Sequence, residues 1–148
     1  MRASSFLSIP RGVNAMQPYL SFDGNAAEAL SFYAKCLDGK ITFSMTFAES
    51  PMGKDTPDAY KNKIMHATLE ARGHQLMASD MPPGMPHKGY EGFTLSVQGK
   101  SVEEGKRLFD ALSAGGKVTM PFAETFWAKG FGMLVDKFGV PWMVNCEH

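Results

Sequence analysis

GKITFSMTFAE (Gly39–Glu49) and GKVTMPFAE (Gly116–Glu124) state nearly the same phrase twice, once in each half of the chain. Each follows a stretch with helical spacing of apolar residues and opens one that alternates like a strand. If the echo extends outward, the fold is a duplicated module. Any function is then expected where the two copies meet.

It does extend. KIMHATLEARGHQLMAS (Lys63–Ser79) aligns without gaps on KGFGMLVDKFGVPWMVN (Lys129–Asn145), with Gly73 on Gly139, Met77 on Met143 and Glu70 on Asp136. Near the start of each copy, YLSF (Tyr19–Phe22) aligns on TLSV (Thr94–Val97). Between these blocks lie two helical patterns. In the first, Asn25 followed by Glu28 reads as an N-cap with its partner, and Ala26, Ala29, Leu30, Tyr33, Cys36 and Leu37 hold one face before Gly39 ends it. In the second, Ser101 with Glu104 reads as a capping box, Val102, Gly105, Leu108, Phe109 and Leu112 hold the face, and Gly115-Gly116 ends it. Each copy therefore reads strand, helix, then three strands. The expected class is α+β, two βαβββ modules related by internal duplication.

The first copy carries a longer loop around SPMGKDTPDAYKN (Ser50–Asn62), rich in turn formers. The boundaries that follow are an N-terminal extension at 1–15 and a single domain at 16–148. Within it lie module one (16–80), a Pro-rich linker (81–91) and module two (92–147).

Composition bounds the function. The chain has 148 residues, enough for one domain with a sizeable core. Its formal net charge is zero and its pI about 6.9, so nothing steers it towards nucleic acid or an anionic membrane. No apolar run approaches the ~18 residues of a membrane span, and MRASSFLSIPRGVNA lacks the apolar core of a secretory signal. Cys36 and Cys146 make no disulfide framework, so a cytoplasmic, reduced setting is expected. There is no C-x-x-C, H-E-x-x-H, G-x-G-x-x-G or G-K-[ST] motif.

The doubled unit, with YLSFDGNAAEALSFY (Tyr19–Tyr33) at its front, resembles the vicinal-oxygen-chelate superfamily of glyoxalases, extradiol dioxygenases and bleomycin-resistance proteins. Within it the chain is most similar to the PhnB-like, glyoxalase-related branch, whose members are often labelled demethylubiquinone methyltransferase. FWAKGFGMLVDKFGVPWMVN (Phe126–Asn145) is similar to that branch's W-G-x-x-Y-G-x-x-x-D-P-F-G-x-x-W pattern and departs from it at Ala128, Phe131 and Lys137. The resemblance covers Met16 to Glu147. It implies a curved mixed sheet with a central, glyoxalase-like trough, and a homodimer. Activity does not follow, because the superfamily hosts several chemistries on one scaffold.

Alternation assigns the faces. Met65, Ala67 and Leu69, with Phe131, Met133 and Val135 in the second copy, are expected to pack on the helices. The mixed faces, including Gln17, Tyr19, His66, Thr68, Glu70 and Met77 from one copy and Ser96, Gln98, Met143 and Asn145 from the other, are expected to line the trough.

The resemblance implies metal ligands at Gln17, Met77, Gly92 and Met143. Only Gln17 offers a donor suited to a hard or borderline cation, thioethers being soft and glycine having no side chain. No metal and no cofactor is therefore expected, and the two methionines read as packing. His66 stands two residues from Thr68 and four from Glu70 on one face, so a carboxylate could orient it as a general base. Glu124 and its echo Glu49 are the candidate acids, and Phe126 and Trp127 a candidate lid. Cys146 and Trp142 fall on the helix-facing side, and His74, His87 and His148 are expected in solvent.

Two functions are compatible with this pattern. One is a protein that binds a small molecule in a metal-free trough, through Gln17, Tyr19, Met77, Phe126, Trp127, Met143 and Asn145. The alternative is a lyase or isomerase using His66 or Glu124, with or without a relocated divalent metal. Neither nucleic acid nor a membrane is an expected partner.

Overall fold

The computed structural model describes residues 16–148, so the proposed extension at 1–15 lies outside the described residues. The chain divides into two compact units, one running to His87 and the other from Lys88 to His148. The first contains β1 (Tyr19–Phe22), α1 (Ala26–Leu37), β2 (Lys40–Thr46), β3 (Ile64–Ala71) and β4 (His74–Asp80). The second contains β5 (Leu95–Gln98), α2 (Val102–Ser113), β6 (Lys117–Ala123), β7 (Gly130–Val135) and β8 (Pro141–Cys146). Both follow the strand, helix, three-strand order of the repeat. The mixed sheet is carried as two four-stranded sheets, ordered β1-β4-β3-β2 and β5-β8-β7-β6. In each the first strand pairs in parallel with the last, and the other pairs are antiparallel. The long loop of the first unit holds two single 3-10 turns, Gly53–Asp55 and Asp58–Tyr60.

Each helix covers one face of its own sheet. The buried stripe of α1 is Ala26, Ala29, Leu30, Tyr33, Cys36 and Leu37, all that the spacing predicts. Under it lie Leu20, Phe22, Ala67, Leu69, Leu76 and Ala78. In α2 the buried stripe is Gly105, Leu108, Phe109 and Leu112, while Val102 is exposed at the helix start.

The helix starts differ from each other. Ser101 accepts from the Glu104 amide at 3.1 Å and Glu104 Oε1 accepts from the Lys100 amide at 2.7 Å. The two bonds form a reciprocal cap for α2. Asn25 makes no side-chain cap. Instead Asp80, buried at the end of β4, accepts from the Ala26 amide at 2.9 Å and, through its other oxygen, from the Ile64 amide at 2.8 Å. A carboxylate brought from a distant strand satisfies the first turn of α1 and favours its positive end.

The echoed phrase encodes two shared details. In β2 the register shifts between Ile41 and Phe43, and in β6 between Val118 and Met120, so a bulge recurs at Thr42 and Thr119. Gly39 and Gly116 each precede the bulged strand where two backbones cross. A Cβ on Gly39 would lie 2.5 Å from the Glu70 carbonyl oxygen, and one on Gly116 2.3 Å from that of Val135. Crowding requires these glycines, whereas the left-handed turn after α1 is taken by Asp38 (φ 55°).

The ladders also correct the repeat. Thr68 pairs with Met77, but Met133 pairs with Met143. The turn between β7 and β8 therefore holds one more residue than its counterpart at Arg72-Gly73. A one-residue slip moves a whole strand to the opposite face. Gly130, Gly132 and Leu134 of β7 are buried on the helix side, and Phe131, Met133 and Val135 stand on the other side, contrary to the gapless expectation. Asp136, not an equivalent of Glu70, organises the longer turn: it accepts from the amides of Phe138 (2.8 Å) and Val140 (3.0 Å) and from Trp142 Nε1 (2.9 Å). Trp142 is buried as expected. At the start of the modules, Tyr19 pairs with Met77 and Ser96 with Met143, so Gln17 is level with Thr94 rather than Gly92.

His87, expected in solvent, donates from Nε2 to the Ser21 carbonyl at 2.7 Å and ties the linker to β1.

Candidate functional site

The face of each sheet turned away from its helix is open, and both open faces are built in rows. Across the first sheet runs Tyr19, Met77, Thr68 and Phe43, one residue from each strand. Beside it Met45 stands opposite His66. The Tyr19 hydroxyl lies 3.0 Å from His66 Nδ1, and the rings of Tyr19 and Phe43 sit 5.6 and 5.8 Å from the imidazole. The partner of His66 is thus a phenol. Glu70 belongs to a separate polar row, in which Gln17 Nε2 donates to Gln75 Oε1 at 2.7 Å and Gln75 Nε2 reaches Glu70 Oε2 at 3.5 Å. With Nδ1 held by Tyr19, the ring orientation is defined, and Nε2 is the nitrogen outside that bond.

In the second sheet the corresponding row is Ser96, Met143, Met133 and Met120. Next to it Gln98, Asn145 and Phe131 stand in line, with Asn145 Nδ2 donating to Gln98 Oε1 at 3.0 Å. Trp127 packs edge-on against Phe131, its centroid 5.4 Å away, and Phe126 packs on Trp127 at 4.8 Å. The turn presenting them is closed by the Thr125 amide donating to the Ala128 carbonyl and the Ala128 amide to Thr125 Oγ1. Phe126 is 93% exposed and Trp127 46%. The slip in the repeat concealed Phe131 and Met133. The legible signal was Gly130 and Gly132 flanking Phe131, since an added Cβ at either would meet Phe122 or Phe109 within 2.6 Å.

The two candidate acids stand elsewhere. Glu49 folds back on its own turn, accepting from the Thr46 amide (2.9 Å) and hydroxyl (3.1 Å), bonds that hold its carboxyl below the usual range. Glu124, exposed beyond β6, borders an open hollow of about 530 Å³ with Val102, Glu103, Lys106, Phe122 and Lys129, on the α2 side of the second sheet. Cys146 lies under α2, its Sγ 3.2 Å from the Ser101 carbonyl, and burial pushes its thiol pKa up.

The positions that the superfamily resemblance implies for a metal do not fit one. Gln17 is committed to Gln75, Met77 and Met143 offer thioethers, and neither Gly92 nor Thr94, the residue that the register makes the counterpart of Gln17, brings a charged donor. Among the described residues, no three His, Cys, Asp or Glu side chains are grouped to hold an ion. No helix among them is long and apolar enough to cross a membrane.

A family model described as 3-demethylubiquinone-9 3-methyltransferase matches residues 14–145. The chain belongs to that family. It is 43% identical over 141 residues to Protein YjdN of Escherichia coli K12, covering 88% of this chain and 93% of that one. Protein PA1353 of Pseudomonas aeruginosa is 47% identical, with a TM-score of 0.82, over 89% of this chain and 96% of that one. A Bacillus cereus structure described as a putative 3-demethylubiquinone-9 3-methyltransferase, PhnB protein, is 26% identical, with a TM-score of 0.75, over 88% and 98%. At the level of fold alone, a glyoxylase/bleomycin resistance protein/dioxygenase domain from Frankia superposes with a TM-score of 0.62 at 15% identity, over 95% of this chain and 100% of that one. The PhnB-like family thus sits within the vicinal-oxygen-chelate fold, and the duplicated βαβββ module is its shared unit.

Proposed function

We propose that this chain binds a small, largely apolar organic molecule on the open faces of its sheets, without a divalent metal, and does so as a homodimer. The observation that supports this most is the makeup of those faces. Tyr19 and Phe43 on the first sheet are large and exposed beside the oriented Tyr19–His66 pair. Phe126 and Trp127 on the second unit are large and exposed near the Asn145–Gln98 pair, so each face by itself carries apolar surface with a fixed polar group. Apolar walls with a small number of fixed polar groups are what a ligand site requires. The test is titration of the full chain with 8-anilinonaphthalene-1-sulfonate, an amphipathic aromatic probe. Saturable binding that Trp127→Ala and Phe131→Ala each weaken several-fold supports the reading. Non-saturating binding, or binding that both variants leave unchanged, overturns it. Equilibrium sedimentation showing only monomer at high concentration removes the dimer.

A second reading rests on the Tyr19–His66 contact. An imidazole oriented through Nδ1 keeps its second nitrogen for moving a proton, as a lyase or isomerase requires. Glu124, beside Lys129 in its hollow, is the other group able to act as an acid or base. In this reading His66→Gln abolishes turnover and Tyr19→Phe lowers kcat with little change in KM.

A further inference from the structure

Met120, Met133 and Met143 stand on three adjacent strands in one row of the second sheet's open face. Met143 and Met133 are half-buried and Met120, on the edge strand, is 39% exposed. Two thioethers alone read as packing. The register adds the third, and three is the number a soft monovalent ion needs for a trigonal site. We propose that this row binds Cu(I) or Ag(I).

The geometry permits it. Adjacent strands lie about 4.8 Å apart, so the outer two Cα atoms are about 10 Å apart with Met133 midway between them. Methionine is unbranched and flexible, and each outer side chain can lean inward over Met133. The three sulfur atoms then meet above the central residue, on the side facing away from α2. Thioethers are soft donors that prefer cuprous copper and disfavour the hard or borderline divalent ions. Along β7 the row is flanked by Phe131 and Val135, which bring no oxygen donor. The nearest soft competitor in sequence, Cys146, is buried on the opposite face of β8, with its Sγ against the Ser101 carbonyl. In the first sheet the matching row holds Tyr19, Met77, Thr68 and Phe43, so only the second module carries the three thioethers. The row shares the second sheet's open face with the small-molecule reading but goes beyond it, since it rests on the three thioethers in register and not on the aromatic rings.

The test uses the full chain carrying 13C-methyl methionine, titrated with silver nitrate in chloride-free buffer. Met52 and Met85, 48% and 55% exposed, are internal controls for unspecific binding. The expected result is saturation at one equivalent, with shifts confined to the methyls of Met120, Met133 and Met143. Met133→Leu keeps volume and apolarity and is expected to weaken binding at least about tenfold by removing one of three soft donors. Met120→Leu, on the exposed edge, gives the same reading should Met133→Leu perturb the fold. Shifts equal at Met52 and Met85, silver taken up with no shift at the three methyls, or affinity unchanged in both variants would each overturn the proposal.

Discussion

Met133 stands directly opposite Met143 across the β7–β8 ladder, the place that Thr68 holds opposite Met77 in the first sheet. One residue more in the turn organised by Asp136 puts it there, because strand faces alternate and a single insertion exchanges them. The open face of the second module is therefore thioether and aromatic, where that of the first is built around a phenol and an imidazole.

Purified protein is expected to carry no stoichiometric zinc, nickel, manganese or iron. The positions that the fold would use hold Gln17, Met77 and Met143, and a neutral amide with soft sulfur cannot offset the cost of stripping water from a divalent ion. EDTA is expected to leave Tm unchanged, since a metal bound only to the native state would have raised it by mass action. About one such ion per chain, lost to EDTA with a large fall in Tm, overturns this.

Asp80→Ala is expected to destabilise the fold by about 3 kcal/mol, because two buried amides lose a charged acceptor. Those amides belong to Ala26 and Ile64. Asn25 occupies the position that looks like the cap but has no side-chain cap bond to lose. Asn25→Ala is therefore expected to cost no more than about 0.5 kcal/mol, the low end of what a lost cap costs. Urea denaturation of both variants measures the contrast. Equal effects would refute the assignment.

Gly105→Ala places a Cβ 2.2 Å from Cys146 Sγ and 3.0 Å from Phe122 Cζ. Overpacking of this kind is expected to cost about 1–3 kcal/mol. Cys146→Ala in the same chain removes the closer atom, so the double variant should be more stable than the sum of the two changes predicts. Additive losses would place the strain elsewhere.

Stability is expected to fall as pH rises above the ordinary thiol range. The Cys146 thiol ionises at about its ordinary value of 9.0 when unfolded, while burial keeps it protonated to higher pH in the fold. Between those two values the native state binds more protons than the unfolded one, so unfolding becomes easier with each step in pH. Tyr60, whose pKa burial and the charge of Asp80 also raise, adds a loss in the same direction further up. Cys146→Ala should flatten the first part of the slope in urea titrations run from neutral to alkaline pH. An unchanged slope would exclude the thiol as its origin.

The Phe126 ring is almost wholly exposed. Phe126→Ser is therefore expected to change stability by only about 0.5 kcal/mol or less, as surface substitutions usually do. The same change should lower affinity for an aromatic probe several-fold, since the ring rests on Trp127 and extends the open face. A stability loss without an affinity loss would make the ring structural.

Short-range physics made part of this molecule legible in the chain alone. The 3.6-residue spacing of Ala26 to Leu37 and of Gly105 to Leu112 specified both helix faces, Ser101 with Glu104 specified one helix start, and the echo from Gly39 and Gly116 specified the module. Strand alternation also placed Tyr19, His66, Met77, Met143 and Asn145 on open faces, because it needs no long-range information once the register is right. Long-range packing settled the rest. Whether β7 turns Gly132 or Met133 to the helix depends on the room beneath Phe109 and Phe122, and a glycine fits there where a side chain would not. Which carboxylate caps α1, and which group holds His66, depended on β4 and β1 arriving beside them. Asp80 lies 54 residues from the Ala26 amide it caps and Tyr19 47 residues from His66, separations that only the pairing of distant strands can close.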